Sequence, residues 1–147
     1  MTSRNLFLIA IAILLLIAAV FIYHERVQEP LQTFPAVVDR DCAPWDGSAF
    51  TVSIADETGL VIYVSIWQSP DLKFPSTFAF PDETGQTGIA YILPELDPLE
   101  QLSGRVTFQR VEQGTPVEGE FELSTETGQR FSGKFLAEWG NEIVYCG

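Results

Sequence analysis

Two cysteines, Cys42 and Cys146, are the residues with the most distinctive chemistry in this chain. Only one pairing is open to them, and a disulfide would close a loop of about 100 residues, worth up to about 5 kcal/mol of stability. Two buried free thiols are the alternative. Because the pair lacks the Cys-x-x-Cys spacing of zinc and thiol-redox sites, we predict a structural disulfide and no role in metal binding.

Side chains that could catalyse a reaction are scarce. The only histidine is His24, which leaves the rest of the chain without a base for a serine or cysteine nucleophile. Glu118, Glu120 and Glu122 alternate along one predicted strand, a pattern typical of its solvent-facing side. There is no glycine-rich phosphate loop. We therefore expect no catalytic residues, no cofactor and no enzymatic activity.

A cluster of carboxylates beside Cys42 is the best candidate for a metal. Asp39, Asp41 and Asp46 supply the oxygen ligands that calcium prefers. Their spacing differs from that of an EF-hand loop. We predict no metal site, with calcium at these three residues left as the open alternative.

The charge of the chain excludes nucleic acid as a partner. Residues 24–147 contain every Asp and Glu, 20 in all, and every Lys and Arg except Arg4, so seven of the eight; the net charge there is −13. Nucleic-acid binding requires clustered cations, and these few are dispersed among acids. The acidity favours a soluble domain.

An apolar segment near the N-terminus predicts a membrane anchor. Residues 6–23 are 18 consecutive uncharged residues, which as a helix would rise about 27 Å, close to the hydrocarbon thickness of a bilayer. A cleaved signal peptide is the alternative, but bulky residues and then charges follow the segment instead of a small-x-small site. We predict an uncleaved signal anchor over 1–23, in contact with the lipid bilayer through 6–23.

The cysteines indicate on which side of the membrane the C-terminal domain lies, and they do so more strongly than the charges that flank the apolar segment. Arg4 marks a short cytoplasmic end, but Arg26 lies on the other flank. Disulfides persist in oxidising compartments. We therefore expect a single-pass protein whose C-terminal domain is periplasmic or extracellular, with a Pro-containing stalk over 24–40 and a β-domain over 41–147.

The β-domain is predicted from an apolar period of two interrupted by turn residues. Eight strands are expected: 50–54, 60–67, 77–80, 88–93, 105–111, 117–124, 130–139 and 142–146. Two hairpins are expected around the turns 56–59 and 82–85, which share the tripeptide Glu-Thr-Gly with 126–128. A short helical turn is predicted from Asp97 to Gly104. The fold class is all-β, an eight-stranded antiparallel barrel-like domain or a two-sheet sandwich.

The last long hairpin allows a prediction of register. A symmetric turn at 125–129 would set Phe121 opposite Gly133 and Gly119 opposite Phe135, so that each ring covers a bare backbone. On the other face Glu120 would oppose Lys134. We expect both relationships.

The strand 60–67 is apolar on both faces, which predicts an interaction site. One face belongs to the core, and the other carries Tyr63 and Trp67. The segment 94–104, with its leucines, could cover that second face. A partner protein or apolar ligand is the alternative, because aromatic side chains with few charges are typical of interface cores.

Two functions fit these features. The first is a membrane-anchored interaction module outside the cytoplasm, an accessory or assembly subunit of an envelope complex with a membrane-protein partner. The second is an apolar-ligand or lipid-binding barrel. Alternating Gly and Phe in the last hairpin favour a filled interior and therefore the first.

Overall fold

The computed structural model describes residues 31–68, 74–93, 98–140 and 144–146. Within these ranges the chain is all-β, with nine strands and no helix. The strands are β1 (Thr33–Cys42), β2 (Ser48–Ala55), β3 (Val61–Ile66), β4 (Ser76–Phe80), β5 (Gly88–Ile92), β6 (Glu100–Gln101), β7 (Ser103–Arg110), β8 (Val117–Ser124) and β9 (Arg130–Trp139).

All nine strands belong to one sheet, in the order β4-β7-β8-β9-β1-β2-β3-β5-β6. β1 lies in the middle of the sheet, antiparallel to β2 and parallel to β9. Every other pairing is antiparallel. The first and last long strands of the domain are therefore neighbours.

The sheet is curled into a half-barrel. β4 and β5 lie near opposite edges of the strand order, yet only residues 81–87 connect them. At another corner, Leu102 alone separates β6, which pairs with β5, from β7, which pairs with β4 and β8. Such short connections require the two edges of the sheet to approach each other.

The concave side of the sheet forms a packed core. Phe108 is fully buried at its centre, with ring centroids 5.4 Å from Phe50, 5.7 Å from Phe78 and 5.6 Å from Phe135. Val, Ile and Leu side chains of the other strands fill the space around these rings. The interior is thus occupied by side chains, as the Gly and Phe alternation predicts.

The predicted register of β8 and β9 is confirmed. Phe121 pairs with Gly133, Gly119 with Phe135, and Glu120 with Lys134, whose Nζ lies 3.3 Å from the Glu120 carboxylate. The ring of Phe135 covers Gly119 as expected.

The ring that covers Gly133 differs from the one predicted. A Cβ added to Gly133 would first meet the ring of Phe34, on the neighbouring strand β1. Phe34 therefore lies over the bare backbone where Phe121 was expected. The two rings contact each other, with centroids 5.7 Å apart.

The three Glu-Thr-Gly tripeptides form similar turns. Gly59, Gly85 and Gly128 each have positive φ, and each donates its N–H to the carbonyl three residues earlier. The side chain of that earlier residue, Asp56, Asp82 or Thr125, accepts hydrogen bonds from the turn. Glycine is favoured in this left-handed conformation, which explains the recurrence without an internal repeat.

Several predicted elements are wrong. The chain from 33 to 40, expected in the stalk, belongs to β1, so the β-domain begins before Asp41. The strands at 76–80 and 88–92 form, but they pair with β7 and β3 and make no hairpin with each other. The sheet has nine strands, where eight were expected, and it is a single curled sheet, which rules out the two-sheet sandwich for the described residues.

The predicted helical turn and the final strand also differ from the structure. Of residues 97–104, the described part from Pro98 onward contributes β6 and the start of β7. Residues 144–146 are not in a strand. The remaining parts of these two predictions, Asp97 and 142–143, lie outside the described residues.

The predicted anchor over 1–23 and the first part of the stalk, 24–30, also lie outside the described residues. Among the residues that are described, none forms a helix with the length and apolar character needed to cross a membrane.

Candidate functional site

The convex side of the sheet is divided into two surfaces of different composition. On β1, β2, β3 and β5 seven outward side chains are apolar or aromatic, with the polar residues Thr51, Ser53 and Ser65 among them. We call these seven the apolar outer face: Pro35, Val37, Ala55, Val61, Tyr63, Ile89 and Tyr91. Val37 on this face is 44% exposed, and so is the adjacent Leu136 of β9. The apolar outer face is therefore partly exposed within the described part of the chain.

The outward side chains of β7 and β8 form a charged outer face, by contrast. Arg105 Nη2 lies 2.6 Å from Glu122 Oε2, and the hydroxyl of Thr107 shares a hydrogen bond of 2.9 Å with that of Thr77. Glu120 pairs with Lys134 of β9. Two of the three carboxylates predicted to face solvent on this strand, Glu120 and Glu122, are thus paired with cations.

Tyr63 and Tyr91 form a stacked pair on the β3 and β5 side of the apolar outer face. They are direct partners across β3 and β5, and their ring centroids lie 5.1 Å apart with an angle of 12° between the planes. Both side chains are partly exposed. Cross-strand aromatic stacking of this kind fixes the orientation of both rings.

A second aromatic pair lies where β3 ends. Trp45 and Trp67 meet edge to face, with centroids 5.7 Å apart, and Trp45 is 53% exposed. Trp45 is carried by the loop between β1 and β2. That loop is tight, because Ala43 N donates to Gly47 O at 2.8 Å and Asp46 has a φ of 62°.

A carboxylate borders the aromatic side chains. Asp41 Oδ1 accepts a hydrogen bond of 2.8 Å from Cys42 N, and Asp41 Oδ2 accepts one of 2.9 Å from the Thr51 hydroxyl. The pKa of Tyr91 is raised above 10.0 by burial, by the neighbouring Tyr63 and by the negative charge of Asp41.

Cys42 and Cys146 form a disulfide, with the sulfur atoms 2.07 Å apart and the Cα atoms 5.5 Å apart. It joins the end of β1 to the segment that follows β9. Because Ala43 and the Trp45 loop follow Cys42 directly, the disulfide lies at the base of that loop.

The structure places both predicted interaction residues on one face. Tyr63 and Trp67 point to the convex side from the same strand and its end, and both are partly exposed. Of the leucines expected to cover them, Leu102 is buried in the core and Leu99 is 47% exposed, while Leu96 lies outside the described residues. Leu102 therefore does not serve as the predicted cover, and for the rest of the segment 94–104 the cover stays a prediction.

Two aromatic members of the site were missed by the sequence. Tyr91 joins Tyr63 only because β5 pairs with β3, whereas the sequence indicated a hairpin of β4 and β5. Trp45 is in a loop, where no apolar period marks it. For Tyr91, the alternation of Ile89, Tyr91 and Leu93 on the outward side of β5 could have indicated that the residue faces outward.

The described residues contain no group of three or more His, Cys, Asp or Glu side chains arranged to hold a metal ion. Asp39, Asp41 and Asp46, the alternative calcium ligands, are on or beside β1, where Asp41 already accepts the two hydrogen bonds described above.

Two clefts lie toward the charged outer face. One, of about 290 Å³, is lined by Leu31, Thr77, Arg105 and Glu120. The other, of about 450 Å³, is lined by Leu31, Ser103, Arg130 and Phe131. Neither contains residues of the two aromatic pairs.

Comparison with protein-family models, with curated proteins and with solved structures returns no match. The functional argument therefore rests on the residues and their geometry.

Proposed function

We propose that this chain is a membrane-anchored, extracytoplasmic interaction module, an accessory or assembly subunit of an envelope complex. The observation that carries the proposal is the apolar outer face, where the stacked rings of Tyr63 and Tyr91 remain partly exposed. Rigid aromatic side chains of this kind dominate the energetics of protein interfaces. A protein partner in the same membrane would cover this face.

The anchor and the location belong to the same proposal. Residues 6–23 have the length and apolar character of a single membrane span. The Cys42–Cys146 disulfide supports an oxidising compartment for the β-domain, periplasmic or extracellular. A permanent tether would keep the apolar outer face at high local concentration near a membrane-protein partner.

The packed interior favours this function over a lipid-binding barrel. Barrels that carry apolar ligands enclose a cavity among their inward side chains. Here Phe50, Phe78, Phe108 and Phe135 meet at the centre of the half-barrel. An apolar ligand would have to displace these rings.

The test purifies the full chain from its native membrane in mild detergent and identifies the proteins that co-purify with it. The wild type, a double variant and a control variant are compared. Tyr63→Ser with Tyr91→Ser removes both stacked rings, and Tyr145→Ser is the control because Tyr145 is 90% exposed and belongs to neither ring of the stack. We expect the same companion chain with the wild type and the control, and its loss from the double variant at a similar thermal midpoint. Retention of the companion by a folded double variant would contradict the proposal.

A second measurement covers the case in which the double variant does not fold. A photo-crosslinking amino acid replaces Val37, which is 44% exposed on the apolar outer face, and another replaces Gln109, an exposed residue of β7 outside that face. We expect a crosslink to another chain from position 37 and none from position 109. Absence of any crosslink from position 37 would overturn the proposal.

A further inference from the structure

β1 is the strand that continues from the segment leading to the predicted anchor, and it lies in the middle of the sheet. Residues 24–32 separate the predicted anchor from Thr33, where β1 begins. β1 forms six residue pairs with β9, from Thr33 to Val38, and seven with β2, from Ala36 to Cys42. Every residue of the strand therefore has a partner on at least one side.

A pull on the start of β1 would act along the strand. Backbone hydrogen bonds between strands are perpendicular to the strand axis in an antiparallel pair and slanted in a parallel pair. Force along the axis therefore acts on all the pairs of β1 together, whereas force that spreads two strands from one end breaks their pairs one at a time. Because unfolding under force is governed by the unfolding barrier, β1 resists a lengthwise pull better than an end-on pull.

The far end of β1 is covalently joined to both of its neighbouring strands. The chain leads from Cys42 into β2 through a tight turn. In this turn Ala43 N donates to Gly47 O at 2.8 Å, and Asp46 N donates to Ala43 O at 3.0 Å. The disulfide joins Cys42 to Cys146, in the segment that follows β9. β1 could slip toward its start only if the turn opened and the segment after β9 moved with it.

The side chains of β1 also oppose slippage. Val38 is fully buried in the core. The ring of Phe34 lies over Gly133 and contacts Phe121. A slip by one residue would exchange the buried and outward faces of the strand, and a slip by two would move Val38 out of its place in the core. The register of β1 is thus fixed by packing as well as by hydrogen bonds.

The same strand contributes to the apolar outer face. Pro35 and Val37 are on its outward side, and Val37 is 44% exposed. We infer that β1 is a mechanical link, which transmits tension between the membrane tether and a partner bound on the apolar outer face while the sheet stays folded. The inference rests on the proposed function, from which it takes the tether and the partner, and adds how tension passes between them.

The test applies constant force to single molecules of the full chain in mild detergent, through handles attached at two alternative pairs of positions. Handles at Leu31 and Gln86 pull lengthwise on β1, because Leu31 precedes its start and Gln86 precedes β5 at the opposite end of the sheet. Handles at Ser48 and Gln68 are the matched control, since they spread β2 and β3 from the end that both positions share. All four side chains are at least partly exposed.

The dwell time before the first extension is the readout. At equal force it should be at least about tenfold longer for the lengthwise pull, a difference of about 1.4 kcal/mol in the barrier. The simultaneous loss of several hydrogen bonds exceeds that difference. Replacement of Cys42 and Cys146 by serine should shorten the lengthwise dwell time by a larger factor than the spreading dwell time, because a general loss of stability affects both alike.

Two results would overturn the inference. The first is a lengthwise dwell time equal to or shorter than the spreading dwell time, which would mean that β1 leaves the sheet as easily as β2 and β3 separate. The second is an equal proportional effect of the serine replacements on both dwell times, which would mean that the disulfide does not hold the end of β1. If the serine variant does not fold, the comparison of the two pulls on the wild type decides alone.

The fate of the proposed function is read separately, because the pulling measurement involves neither a membrane nor a partner. If the two dwell times are equal but the companion chain is lost with Tyr63→Ser and Tyr91→Ser, the interaction module stands and the mechanical link is wrong. If the companion chain survives loss of both tyrosines, the proposed function itself is wrong.

Discussion

The ring of Phe135 on β9 lies over the bare backbone of Gly119 on β8, so that a Cβ at Gly119 would overlap the ring. The two residues are direct cross-strand partners, and both are buried. Packing of a ring on a glycine brings the two strands and the core into close contact without a cavity.

The first prediction follows from this contact. Gly119→Ala should reduce the free energy of unfolding by about 1 to 3 kcal/mol, because Phe135 must move within a packed core. Denaturant unfolding measures the change. Glu118→Ala, at the exposed neighbouring position, is the control and should change stability by less than about 0.5 kcal/mol. Equal stability of the two variants would contradict the packing described.

The second prediction concerns the disulfide. Replacement of Cys42 and Cys146 by serine, a pair separated by 104 residues, should lower the free energy of unfolding by up to about 5 kcal/mol, because the unfolded chain gains entropy. Reductant should lower the stability of the wild type to a similar extent and leave the serine variant unchanged. If both thiols react with a labelling reagent after denaturation without reductant, the disulfide is absent and the prediction fails.

The third prediction concerns the turn at Asp82. The Thr87 hydroxyl lowers the pKa of the Asp82 carboxyl below its ordinary value of 3.8, with further hydrogen bonds from Thr84 and the Thr87 amide. Asp82→Ala should therefore lower the thermal midpoint more than Glu83→Ala, which removes the same charge from an exposed neighbour.

The stabilisation by the Asp82 carboxylate, measured as the difference in thermal midpoint between the wild type and Asp82→Asn, should depend on pH with a defined sign. Because the pKa of Asp82 is lower in the folded state, its stabilisation is present above pH 3.8 and is lost as the pH falls through the folded pKa. The thermal midpoints of the wild type and Asp82→Asn should therefore converge below pH 3.8. A difference that stays constant down to pH 2 would show that the hydrogen-bonded carboxylate is not its cause.

The fourth prediction concerns Tyr91. Its pKa lies above 10.0 because of burial, Tyr63 and the charge of Asp41. Asp41→Asn should lower this pKa toward 10.0, since one source of repulsion is gone, and Glu118→Gln should not. Ultraviolet titration of each protein, with the corresponding Tyr91→Phe variant subtracted, isolates the residue. An identical Tyr91 titration with and without Asp41 would show that the two groups do not interact.

The sequence predicted the hairpins best where the apolar alternation and the turn agree. The bounds of β8 and β9 and their register follow from the residues alone, because Phe121 and Phe135 can each face a glycine in only one register. The disulfide followed from the availability of a single pairing for Cys42 and Cys146.

Long-range pairing was not predictable in the same way. The turn at 82–85 has the expected local structure, but turn residues do not determine which strand a neighbour pairs with, and β5 joins β3. β1 was mistaken for a stalk because of Pro35. That proline is tolerated because β1 pairs only with β9 at this position and begins to pair with β2 at Ala36.

Only part of the candidate site was predicted, because its other members depend on long-range pairing or on loop conformation. Tyr63 and Trp67 were identified because their strand is apolar on both faces, and their role in binding stays a prediction. The stack with Tyr91 depends on a pairing between strands that the sequence placed in different hairpins. Trp45 depends on a loop conformation set by Ala43 and Gly47.

The parallel pairing of β1 with β9 also affects how the protein is made. A ribosome synthesises Thr33–Cys42 long before Arg130–Trp139, so β1 can meet β2 early but has no partner on its other side until the chain is nearly finished. Until β9 has been made, that edge of β1 is unpaired and can join the strand edge of another nascent chain.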